Sequence, residues 1–62
     1  MSIGPQLSSV HSSLTEITKR VVDLAESQSG ASRDDVASAL FEVERSLNTA
    51  NRRLERLLNH LG

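Results

Sequence analysis

Apolar residues recur at alternating steps of four and three along most of the chain, and this spacing leaves few folds open. The first run is Ile3, Leu7, Val10, Leu14, Ile17, Val21 and Leu24. The second is Val36, Leu40, Val43, Leu47, Ala50, Leu54, Leu57 and Leu61. No member of either run is polar. Steps of four and three give the period of a helix stripe that faces another helix, so both runs read as the a and d positions of coiled-coil-like α-helices. The expected fold class is all-α.

The two runs do not share a frame. Val21 and Leu40 are both a positions but lie 19 residues apart, which is not a whole number of heptads. In one continuous helix turning ~103° per residue, the second stripe would be rotated by roughly 150° from the first. A break with chain reversal removes the conflict, and Ser27-Gln28-Ser29-Gly30-Ala31-Ser32 supplies one. Gly30 can end a helix in the left-handed conformation. Ser32 is a good N-cap, with Asp35 placed to reach back as in a capping box. Asp34 and Asp35 fall at the start of the second helix and Arg52, Arg53 and Arg56 toward its end, as the helix dipole favours. Pro5 is tolerated in a first turn. The spacing therefore predicts one helical-hairpin domain over residues 1–62. Helix 1 runs over about 5–28, the turn over about 29–32 and helix 2 over about 33–61, within a few residues at each end.

An antiparallel register follows if partners sum to 64, because a residues then share layers with d residues. Leu24 meets Leu40, Val21 meets Val43, and Ile17 meets Leu47. Leu14 meets Ala50, Val10 meets Leu54, Leu7 meets Leu57, and Ile3 meets Leu61. Every layer is apolar on both sides, and the centre falls at residue 32, beside the expected turn.

Such a hairpin is thin. A chain of 62 residues buries a small fraction of its surface, and small scaffolds need disulfides, a metal or oligomerisation. There is no cysteine, which removes disulfides and thiolate metal sites. Oligomerisation remains, and a homodimeric four-helix bundle is its simplest form. Small flanks at Ala25, Ala37 and Ala39, and a narrow layer at Leu14 and Ala50 beside Ser13 and Ser46, permit close approach of further helices. Val22, Phe41 and Leu58 lie outside the stripes and offer additional interface. Residues 16–44 hold seven acids against three bases, and residues 45–62 hold four arginines against one Glu. The turn half is therefore acidic and the end carrying the termini basic, so two hairpins are expected to pair antiparallel, with their turns apart.

Little in the composition supports chemistry. His11 and His60 are the two imidazoles, at e and g flanks, and no second ligand stands at metal-binding spacing from either. Ser8, Ser9, Ser12 and Ser13 surround His11, but no orienting group or oxyanion donor accompanies them. The chain is expected to be non-enzymatic and to need no cofactor. The serine-rich start of helix 1, together with Asn48, Asn51 and Asn59, forms an uncharged small-polar surface on which another protein could dock. Arg45, Arg52, Arg53 and Arg56 are the candidates for a nucleic-acid patch, the alternative reading of function. A net charge of -1, interspersed Glu42, Glu44 and Glu55, and the absence of a DNA-reading motif weigh against it. With one aromatic residue, Phe41, base-stacking platforms are not expected. The longest strictly apolar run is Ala39-Leu40-Phe41, too short for a bilayer. Met1 to Pro5 do not resemble a signal peptide. The expected location is cytoplasmic, and the expected role is an oligomerisation or protein-interaction module.

Overall fold

Two long amphipathic segments joined by a short polar link have one economical arrangement, in which the chain doubles back and the stripes meet. The computed structural model, which describes residues 3–30 and 33–61, has this form. Helix α1 spans Gly4–Ser29 and helix α2 spans Asp34–Leu61, and the two are in contact. Among the described residues there is no strand. The pair is elongated, 49 × 15 × 12 Å. The helices run antiparallel, because Thr15 bonds Asn51 while the earlier His11 approaches the later Glu55.

The helix ends follow from local chemistry, with two departures from expectation. Pro5 sits in the first turn of α1, where a missing N–H removes no intrahelical bond. The Leu7 N–H donates to the Ile3 carbonyl at 2.8 Å, and Ile3 provides no side-chain cap. Gly30 caps α1 at φ -80°, in the right-handed region, so the expected left-handed termination is not used. The exit is held instead by the Arg33 N–H, which donates to the Gln28 carbonyl at 3.2 Å across the turn. At the start of α2 the Ala37 N–H donates to the Arg33 carbonyl at 3.0 Å, which puts Arg33 in the cap position. The expected cap Ser32 lies outside the described residues. Asp34 and Asp35 occupy the first turn of α2, favourable for its dipole.

The helices meet along a stripe rotated from the expected one. In α1 the buried and half-buried positions are Gly4, Leu7, His11, Leu14, Thr18, Val21, Val22, Ala25 and Gln28. In α2 they are Val36, Ala37, Leu40, Glu44, Leu47, Asn48, Asn51, Leu54 and Leu58. These are chiefly the a and e positions. The a row keeps its expected place, but the e row replaces the d row beside it. Side-chain size gives the reason. Ala25 is 0% exposed and Ala37 4% exposed, so the most buried positions of the contact are small residues near the turn. Thr18 is buried too, with its hydroxyl donating to the Leu14 carbonyl at 2.7 Å, which lets a polar residue occupy the contact at little cost. The two cross-hairpin polar pairs have residue numbers that sum to 66 rather than 64. The layers that match Val10, Ile17, Leu24, Val43, Ala50, Leu57 and Leu61 to the opposite helix are therefore corrected: all seven are exposed in the hairpin.

Two measurements check this packing. Leu47, half-buried in the a row, should not accept a charge. Leu47→Asp is expected to destabilise the fold by more than about 2 kcal/mol in chemical denaturation followed by circular dichroism. Gly30 has a negative φ and open space where a Cβ would lie. Gly30→Ala is accordingly expected to raise stability by about 0.4–1 kcal/mol by narrowing the unfolded ensemble.

Candidate functional site

The a/e packing gives the hairpin two unlike faces. The b side of the seam carries the cross-hairpin polar pairs: the Asn51 Nδ2 donates to the Thr15 hydroxyl at 2.9 Å, and His11 Nε2 stands 3.4 Å from Glu55 Oε1. The latter separation is within ion-pair reach when the imidazole is protonated, but His11 Nε2 makes no hydrogen bond. Thr15 itself donates back to the His11 carbonyl at 2.9 Å, so it serves as acceptor toward Asn51. Both b rows thus lie on one face. The d rows lie beyond the a rows in the other direction, so both of them share the opposite face.

That opposite face is apolar and uncovered. Ile3 at the N-cap of α1, Val10, Ile17 and Leu24 of α1, and Val43 and Leu57 of α2 are 42–55% exposed. Ala50 is also exposed, and the half-buried Leu7, Leu14, Val21, Leu40, Leu47 and Leu54 form the floor between the two rows. On α2 the surface dips into an open concavity lined by Ser46, Thr49, Ala50, Arg53, Leu54 and Leu57. Leu61, 47% exposed, extends the floor to the end of α2. An apolar strip of this length differs from the scattered apolar residues of ordinary surfaces.

The additional interface residues divide. Leu58 and Val22 are half-buried, with Leu58 on the e row within the hairpin. Phe41, 37% exposed, stands on the b side, away from the apolar face. The arginines Arg45, Arg52, Arg53 and Arg56 are all exposed. Arg45 and Arg52 occupy the outermost f row, whereas Arg53 and Arg56 lie on the g and c rows at the rim of the apolar face. Of the uncharged polar set, Asn48 and Asn51 are drawn into the hairpin contact and Asn59 stays exposed. The stripe pattern does not single out the e row, although its small residues Ala25 and Ala37 are the most buried apolar side chains among the described residues.

Among the described residues no group of three or more His, Asp or Glu side chains is placed to hold a metal. No helix is long and apolar enough to cross a membrane. The Thr15–Asn51 bond is testable: Asn51→Ala should cost about 0.5–1.5 kcal/mol in thermal unfolding, the net value of one such bond. No family model, curated protein or solved structure matches the chain.

Proposed function

We propose that the chain is a non-enzymatic oligomerisation and protein-interaction module whose working surface is the apolar d-row face, closed by a second copy into a four-helix bundle. The observation that carries this reading is the incomplete core. The buried hydrophobic residues among those described are Ala25 and Ala37, and no large side chain is fully buried. Each half-exposed Val, Leu or Ile of the face leaves unrealised a part of the ~1.5–3 kcal/mol that full burial supplies. Ordering a chain of this size costs roughly 1.5 kcal/mol per residue. Two helices with so little between them require a cover, and bundles of four helices provide one with the same heptad geometry. A structural or regulatory role, acting by holding copies or partners together, suits a surface that is chiefly apolar.

Association of this kind links stability to concentration. Sedimentation equilibrium at micromolar concentration is expected to give twice the chain mass, and the melting temperature is expected to rise with concentration. Ile17→Glu, on the face, should give a monomer with a lowered melting temperature. Ser12→Glu, on the outward f row, should change neither property. A monomer whose melting does not depend on concentration overturns the reading.

A further inference from the structure

If a second copy covers the apolar face, as proposed above, its orientation remains to be chosen, and rim charges together with the register choose it. Two copies stacked face to face are related by a two-fold axis lying in the plane of contact. An axis along the helices puts both turns at one end and sets α1 over α2 of the other copy. An axis across the helices puts the turns at opposite ends and sets α1 on α1 and α2 on α2. The charged rim of the face consists of the g and c rows. In the turn half it carries Asp23, Asp35 and Glu42 against Arg20, at mid-length Glu16, and in the half nearest the termini Arg53 and Arg56. Among the described residues the ion pair within the hairpin is His11–Glu55, on the other face, so these rim charges are not engaged with one another. The crosswise axis lays the acidic rim of α2 over its basic rim and the acidic rim of α1 over the uncharged Ser9 and Ser13, while the lengthwise axis sets Asp23 beside Glu42.

The register also provides a position for that axis. The cross-hairpin pairs sum to 66, which sets Ile17 level with residue 49. That is one helical rise, ~1.5 Å, from Ala50. A single crosswise axis near Ile17 and Ala50 therefore serves both helices. About it, Val10 of one copy faces Leu24 of the other, Val43 faces Leu57, and Glu42 comes within ~3 Å of axial level with Arg56. The crossing on α2 falls at the concavity lined by Ser46, Thr49 and Ala50, where small side chains admit a second helix. The footprint of a 49 by 15 Å face is roughly 700 Å² per copy, close to the ~800 Å² per partner of a standard interface.

We infer that two copies pair face to face with their turns at opposite ends, α2 crossing α2 of the second copy at Ala50 and Glu42 meeting Arg56 across the interface. This pairing rests on the self-association proposed above, and the experiment separates the two. The chain has no cysteine, so a single introduced thiol reports one site. Ala50→Cys is expected to oxidise to a covalent dimer, because only at the axis do two copies of one residue come within the ~4.4–6.8 Å Cα separation of a disulfide. Arg56→Glu is expected to weaken the dimer roughly three- to tenfold, from two symmetric contacts, and Glu42→Arg combined with it to restore affinity. The wild-type dimer should also weaken between low and high salt. Should Ala50→Cys perturb folding, spin labels on Ser38→Cys, at an exposed outward position, give the orientation independently. The predicted axial separation of the two labels is about 35 Å, and the turns-together pairing would bring them to the same level. A dimer that fails to cross-link at position 50, tightens on Arg56→Glu or holds the Ser38 labels level overturns the pairing and leaves self-association standing. A monomer by sedimentation overturns both.

Discussion

Two helices can cover only one stripe of each other, and the choice of stripe decides everything else about this protein. Each helix carries two apolar rows, a and d, side by side. Turning the a and e rows inward makes Ala25, Ala37 and Thr18 the most buried side chains among the described residues. The d rows are then left on one face. Had the helices met on a and d together, the apolar surface would have been spent inside the hairpin and little would remain for a partner. The exposed Val10, Ile17, Leu24, Val43 and Leu57 are thus a consequence of how the two helices approach, not an independent feature of the surface.

The polar residues on the b side suit this arrangement. Asn51 and Thr15 are joined by a hydrogen bond, and Thr18 returns its hydroxyl to its own helix. A polar side chain drawn into a helix contact is tolerated when its donor is satisfied, and it resists rotation of the helices toward a purely apolar seam. The Asn51 side-chain Oδ1 lacks a partner, so the satisfaction is incomplete. Polar pairs on one side and aliphatic rows on the other give the hairpin a defined front and back.

Much of the architecture was legible in the chain. Two frames of apolar residues that cannot lie on one straight helix required a reversal, and the polar Gly30-containing segment located it. The observed helices, Gly4–Ser29 and Asp34–Leu61, fall within a residue of the expected bounds. Less legible was the contact stripe. A heptad pattern identifies which residues are apolar but not which neighbour each one faces. In a chain with two apolar rows and small e residues, both a/d and a/e contacts satisfy the pattern. The turn shows the same limit: Gly30 permits a left-handed exit, yet the Arg33 N–H bond to Gln28 makes the reversal without it.

The sequence alone therefore determined the helices, their reversal and the division into acidic and basic ends, because each of these depends on local spacing or simple charge order. Only the tertiary structure decided that the apolar stripe is divided, with the a row turned inward and the d row outward. Helix rotation about its own axis is set by the volumes of side chains from two distant segments meeting at once, and no local spacing encodes it. The four-three repeat of apolar residues thus records two surfaces, one that joins the helices to each other and one left uncovered on the outside of the hairpin.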